Sequence, residues 1–310
     1  MTKQKKSQLW TVLCAFACFM WGISGLFGKA LFNLVSTATA LWLSQVRMIT
    51  AGLVLILIAV IRHQKPWRIW QDRGRALRLI AYGLTGMLPV QFCYFMVIQL
   101  ANASLATILQ FIGPFFIMGY LAITKKQVIR RLDLLASVVA FLGVFLLATH
   151  GNVAHFSITP EVLFWGVLSA VGVMTNTLLP VKLLKTDSSA TVSGWGLLVS
   201  GTALLLIHPA MPHVPNTVPV WVCLGGVIVL GTIIPFQLMT NSLRYIKPAT
   251  ASLLDAFEPL SATVGSVLVF GLTMTPLDVI GSLLVILAAM ALNLSPKWRR
   301  KLISARLNRQ

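Results

Sequence analysis

Runs of about twenty apolar residues recur along almost the whole chain, broken only by short polar connections. A run of that length, wound as a helix rising 1.5 Å per residue, crosses a hydrocarbon layer about 30 Å thick. Backbone groups have no water to bond inside such a layer, so helices that satisfy their own N–H and C=O groups are the economical solution. The runs predict ten spans, at 8–28, 39–61, 79–99, 103–124, 132–149, 161–181, 190–208, 219–240, 249–271 and 276–294. The expected fold class is therefore an all-α integral membrane protein with no soluble domain. The amino end, with lysines before an apolar run, is read as the first span, because the run is too long for a signal-peptide core and lacks a small-residue cleavage site.

The formal charge of +18 raises the question of a nucleic-acid partner, which the placement of the basic residues answers. They fall at the N-terminus, in the even-numbered connections and in the C-terminal tail, all on one side of the layer; only Lys29 and Arg47 do not. The pattern is the positive-inside signature, which puts both termini in the cytoplasm and removes nucleic acid as a partner; a multi-pass protein of the cell (inner) membrane is expected. The lipid bilayer is the expected surrounding. Cys14, Cys18, Cys93 and Cys223 all lie in spans and say nothing of an oxidising compartment; Cys14 and Cys18, four residues apart, read as small packing residues rather than a metal site.

The chain also repeats itself. "ATILQFIGP" at 106–114 aligns without a gap to "ASLLDAFEP" at 251–259, and the same offset sets Asp133 on Asp278 and Ser137 on Ser282. "PVQF" at 89–92 pairs with "PFQL" at 235–238. Residues 1–150 and 151–310 are thus expected to be two five-helix repeats, the second followed by a basic tail. An odd number of spans per repeat inverts the second relative to the first, and the basic "TKKQVIRR" before Asp133 against the uncharged "GLTMTP" before Asp278 agrees. Asp133 and Asp278 are expected to cap helix N-termini.

"LLDAFEPLS", residues 253–261, places two carboxylates inside the ninth span. Counting from Pro248, Asp255 lies about 10 Å and Glu258 about 15 Å into the layer. An ionised side chain at the layer's centre costs roughly 2.5–3.5 kcal/mol even on the lower scales, so both acids must face the bundle or a wet cavity. Three residues apart they share a helix face. Pro259 removes the hydrogen bond to the Asp255 carbonyl; Pro114 does the same in the equivalent span, and Pro89 and Pro235 lie in the third and eighth. Four helix bends near mid-depth suit a central cavity, in which mutual repulsion of the two acids opens a proton-linked step. Arg47, about 10 Å from its span's end, needs a partner: Asp255, Glu258, backbone carbonyls or the anionic group of a ligand. Trp21, Gln91, Tyr94, Gln110, Asn176, Trp195 and Gln237, near the bends, are the expected contacts to a small molecule, together with Glu258. Lys29 is expected to be an interfacial anchor, and Trp67 and Trp70 an interface belt.

Ten spans in two inverted halves, "RMITA" in the second span, Trp21-Gly22, "FEPLSATVGSVLVFG" in the ninth and the counterpart Pro114 together resemble the EamA-type branch of the drug/metabolite transporter superfamily. The resemblance covers almost the whole chain. It implies alternating-access movement of small metabolites, commonly amino acids or related compounds and sometimes toxic cations, usually outward. Similar proteins often close the ninth span with Gly-Glu where this chain has Gly271-Leu272, and Asp255 stands where the family is usually apolar or small. The leading expectation is a secondary exporter of an amino acid or related compound, with an exporter of lipophilic or quaternary cations as the alternative. A membrane-embedded enzyme or receptor, such as a lipid-group transferase, is the alternative of another class. The chain has no aspartate-rich pair, no His cluster with metal spacing and no phosphate-binding glycine loop, so no catalytic residue, metal or cofactor is expected. Of the histidines, His150, His155, His208 and His213 fall on the outer side and His63 on the inner.

Overall fold

The computed structural model describes residues 3–101, 103–125, 130–149, 159–209, 212–271 and 275–293, and among these the regular structure is entirely helical. Among the described residues nine helices are long and apolar enough to span a membrane: α1 Gln4–Leu34, α2 Ala40–Ile61, α3 Arg73–Val97, α4 Leu105–Ile123, α5 Arg131–Thr149, α6 Pro160–Leu183, α7 Ser189–Ile207, α8 Val218–Ser242 and α9 Pro248–Val269. A tenth apolar helix, α10 Pro276–Asn293, covers most of the last expected span, 276–294, so nine of the ten expected spans are matched by helices of crossing length among the described residues. Further, α1 runs beyond the expected 8–28 at both ends, because nothing between Gly28 and Leu34 breaks the helix. The basic tail, Lys126, His150, His155 and Leu272 lie outside the described residues.

Helix starts follow local chemistry. The hydroxyls of Thr39, Thr159 and Ser188 accept the N–H groups of Trp42, Val162 and Thr191, and Asp72 accepts that of Arg75, which begins α2, α6, α7 and α3. The acids expected to cap α5 and α10 do so from the third position rather than from the cap itself. Asp278 Oδ2 accepts the Thr275 N–H at 2.8 Å while Thr275 Oγ1 accepts the Asp278 N–H at 3.2 Å, a reciprocal capping box. Asp133 likewise reaches back to the Arg130 N–H at 3.0 Å and pairs with its guanidinium at 2.6 Å.

Packing follows a pattern. α2 lies along α7 and α5 along α10; α1 packs against α8 and α9, and α6 against α3 and α4. Replacing every helix by the one five places on reproduces the same set of neighbours. Without a hydrophobic drive between helices in lipid, close approach needs small residues. Gly143 and Gly281 meet across α5 and α10, where a Cβ on either would lie 2.8 Å from the other's carbonyl oxygen.

The four interruptions expected at prolines are present, and each distortion spans or adjoins the residue four places before, whose carbonyl the proline leaves free. α3 carries π turns at Tyr82–Met87 and Pro89–Cys93, and α8 one at Val229–Ile233 before Pro235. α4 opens at Phe111–Ile112 before Pro114, and α9 tightens to a 3₁₀ turn at Leu254–Ala256 before Pro259. The Thr85 carbonyl, freed by Pro89, accepts the hydroxyl of Thr175 from α6.

Candidate functional site

These interrupted helices surround a cavity of about 600 Å³. It is lined along α1 from Trp21 to Asn33, by Gln91 and Tyr94 at the distorted part of α3, by Gln110 and Pro114 where α4 opens, and by Asp255, Glu258 and Pro259 around the 3₁₀ turn of α9. The cavity runs to the end of the bundle that holds the C-terminus of α1 and the start of α10, where Lys29, Asn33 and Asp278 line it. At the opposite end the helices are closed by packing. Cys14 contacts Met239 at 3.3 Å, Trp10 stacks on Tyr245 at 5.1 Å, and Arg75 reaches Asp187 at 3.4 Å while Arg244 donates to the Asp187 carbonyl at 2.5 Å. Access is therefore from one side.

Two chemically opposite parts of the lining meet in this one cavity. On one, the Arg47 guanidinium donates from Nε to Gln91 Oε1 at 2.6 Å, with Nη2 on the same oxygen, and its carbon sits 5.5 Å from the centre of the Phe95 ring. Thus the expected choice between carboxylate, backbone and ligand resolves into a side-chain amide on α3, one turn before the ring that receives the cation's face. On the other, Glu258 has no ion-pair or side-chain hydrogen-bond partner among the described residues. Asp255, one turn deeper, accepts the Cys18 thiol at 3.3 Å. Cys14 and Cys18 are fully buried in the core cluster, as expected of packing residues, and Cys18 in addition gives a cavity carboxylate a thiol donor.

Other polar groups are left over. Gln91 Nε2 and Asn176 Oδ1 are both buried without a hydrogen-bond partner, and both residues line the cavity. An unmet buried amide atom costs roughly 1–3 kcal/mol, so these two lining residues carry polar groups that the fold among the described residues leaves unsatisfied. Tyr94 shares a hydrogen bond with Thr107 at 3.2 Å, and Gln110 Nε2 is held by the Val90 carbonyl at 3.0 Å and Ser169 at 2.8 Å. Trp21 packs edge-on against Phe236 at 5.2 Å.

Trp195 and Gln237 are not brought to this cavity. Trp195 lies at the closed end, edge-on to Trp67 and Trp70 at 4.9 and 5.2 Å, its Nε1 donating to the Pro66 carbonyl at 3.0 Å. Gln237 donates to Ser189 at 2.7 Å between α8 and α7. Pro89 and Pro235 bend their helices without lining the chamber. Conversely, Lys29, expected as an interfacial anchor, also lines the cavity, as do Asp278, expected only as a helix cap, and Thr107 and Phe95, which were not singled out. The repeat carried a signal for Asp278 alone; Thr107 and Phe95 are ordinary residues of their helices until packing turns them inward.

Comparison with known proteins agrees with this architecture. The EamA-like transporter family matches residues 8–149 and again 161–294. The chain is 30% identical over 286 residues to the uncharacterized inner membrane transporter YicL of Salmonella typhimurium, covering 92% of this chain and 95% of that one. It is 25% identical over 304 residues to the threonine/homoserine exporter RhtA of Escherichia coli, covering 96% and 95%. A crystal structure with 16% sequence identity superposes with a TM-score of 0.74 over 97% of this chain and 99% of the other, which establishes the shared fold. A helical membrane bundle with one central chamber, matched to the same family in both halves, is thus a transporter that belongs to the EamA-like family.

Proposed function

We propose that this chain is a secondary transporter that exports a small zwitterionic metabolite, an amino acid or related compound, by alternating access. The observation that carries the reading is the presence of Arg47 and Gln91 together with Glu258 and Asp255 in the lining of one chamber. A molecule with a carboxylate at one end and an ammonium at the other has the charge pattern to bridge those groups, Arg47 and the Gln91 Nε2 left without a partner among the described residues serving the first and Asn176 and Glu258 the second. The likeness to an exporter of threonine and homoserine supports the same class. Trp21, Tyr94 and Gln110 would complete the site around the ligand's body.

In this proposal the two five-helix halves, 1–150 and 151–310, are inverted repeats of a ten-span protein, and both termini lie in the cytoplasm. The exchange pattern of helix neighbours supports the duplication. The end carrying Lys29 and Asp278 is then external, and the present form faces outward. Gln237 is the inverted counterpart of Gln91, and it sits on the closed half with Oε1 unpartnered. When the other end opens, Gln237 and Trp195 would line the inward chamber as Gln91 lines the outward one. Pro89, Pro114, Pro235 and Pro259 supply the breaks about which the halves rock. A proton exchanged at Glu258, with Asp255 beside it, would couple transport to the pH gradient.

The deciding experiment reconstitutes the purified chain in liposomes loaded with labelled amino acids or with a quaternary cation, with and without a pH gradient. Amino-acid movement stimulated by the gradient and lost in Glu258→Gln supports the proposal. Movement of the cation with no amino-acid flux replaces it with the lipophilic-cation reading, which the acids and the Trp21–Phe236 aromatic pair would serve.

A further inference from the structure

The connection between α2 and α3 is built differently from an ordinary polar loop. After α2 the chain reverses through His63 and Lys65, both with positive φ, and lays a 3₁₀ turn, Pro66–Gln71, across the closed end of the bundle. Pro66 and Ile69 are buried beneath it, and Trp195 clamps it from below by its hydrogen bond to the Pro66 carbonyl and its edge contacts to both indoles. Yet Trp67 and Trp70 remain 60% and 36% exposed. A rigid turn that holds two indoles outward keeps a large apolar surface in contact with something other than the protein.

Its depth says what that something is. Ile61 and Leu77, the apolar residues flanking the connection on α2 and α3, are each 67% exposed, as side chains facing acyl chains are. The turn therefore lies within about a helical turn of the hydrocarbon boundary, the level at which indoles partition. The same connection carries Arg62, Lys65, Arg68 and Arg73, all exposed and none with a carboxylate partner among the described residues. Asp72, the acid of this connection, caps α3 and faces Arg75, and Arg75 is itself turned to Asp187. Lys65, Trp67, Arg68 and Gln71 together outline a shallow surface recess.

We propose that this recess is a binding site for the headgroup of an anionic phospholipid. The cations take the phosphate, Gln71 bonds the glycerol or headgroup hydroxyls, and Trp67 and Trp70 lie against the upper acyl chain. The positive-inside tendency accounts for cations at this level, but not for two exposed indoles in the same connection on a turn clamped from beneath. The site is distinct from the central cavity and does not depend on what that cavity carries.

The test is thermal unfolding of the full chain in neutral detergent, titrated with a short-chain phosphatidylglycerol, with phosphatidylcholine of the same chain length, and with inorganic phosphate. Phosphatidylglycerol is expected to raise the midpoint saturably, and the other two are not. Arg68→Gln, at an exposed side chain, should weaken the apparent affinity about fivefold, the factor for about 1 kcal/mol per cation near an anionic surface. Replacing Arg62, Lys65, Arg68 and Arg73 together by Gln should abolish the shift, whereas Lys182→Gln with Lys185→Gln, at another connection of the same end, should leave it intact. Equal shifts with phosphatidylcholine, a shift reproduced by phosphate alone, or an unchanged titration in Arg68→Gln would each overturn the site. So would an equal loss in the Lys182/Lys185 variant, which would reduce the effect to overall charge.

Discussion

Gly22 is where α1 and α9 come closest beside the acids, and a single methyl group there tests the geometry of the cavity. A Cβ at this position would lie 2.0 Å from Ser261 Oγ, 2.2 Å from the Glu258 carbonyl oxygen and 2.7 Å from the Ala262 nitrogen. The serine hydroxyl can rotate away, but the two backbone atoms cannot. Ordinary contact begins at 3.4 Å, so from 2.2 Å the helices must part by about 1.2 Å in Gly22→Ala. Overpacking of that order costs about 1–3 kcal/mol, and a gap of 0.5–1 Å forfeits roughly a quarter to a half of the dispersion well along the seam. Against this stands a helix-propensity gain of at most about 1 kcal/mol for replacing glycine by alanine. The net expectation is a destabilisation of about 1–2 kcal/mol, with Trp21 and Glu258 displaced from each other by about the same 1.2 Å. Thermal unfolding in detergent should show a lowered midpoint, and the liposome assay should show reduced transport. Gly119→Ala, on an exposed part of α4 with nothing within 4 Å of the added Cβ, is the control and should be neutral or stabilising. A Gly22→Ala protein as stable as Gly119→Ala, with parental transport, would refute the close approach of α1 to α9.

Glu258→Gln keeps the side chain's shape and removes its charge, so transport is expected to fall sharply with folded yield unchanged; retained binding with lost pH dependence would identify the carboxylate as the coupling group. Arg47→Gln should lower folded yield, because it leaves Gln91 Oε1 buried without its donor, at a cost of about 1–3 kcal/mol. Normal yield with a large loss of substrate affinity would assign Arg47 wholly to the ligand. Trp195→Leu should leave the affinity of externally added substrate unchanged while destabilising the closed end, where the Pro66 hydrogen bond is lost; measured binding and unfolding midpoint separate the two. Finally, Gln64→Cys and Asn216→Cys, at exposed positions against native cysteines that are all buried, should label from opposite faces of the membrane; labelling from the same face would remove the inverted-repeat reading.

Much of this protein was legible in the order of its residues, because lipid leaves a chain few choices. Apolar runs of spanning length had to be helices, since only helices satisfy their backbone groups without water. Asp255 and Glu258 had to face inward, since an acid facing lipid is too costly. Prolines at 89, 114, 235 and 259 had to interrupt their helices, since each lacks an N–H. Even the acids at 133 and 278 could be placed at helix starts, although their reach back from the third position is a detail of the first turn. These outcomes depend only on a residue and the few beside it, or on the solvent.

What remained hidden depends on contacts between helices distant in the chain. The Arg47 partner, Gln91, is 44 residues away, and the Cys18–Asp255 contact joins residues 237 apart. No local pattern ranks such pairs, because each follows from which faces of α1, α2, α3 and α9 the packing turns together. The fate of Gln91 and Gln237 shows the limit most sharply. The repeat makes them equivalents, but one lines the chamber and the other is shut between α8 and α7. A cavity that reaches one end only separates two glutamines that the sequence pairs, and that opening is a property of the assembled bundle rather than of either segment.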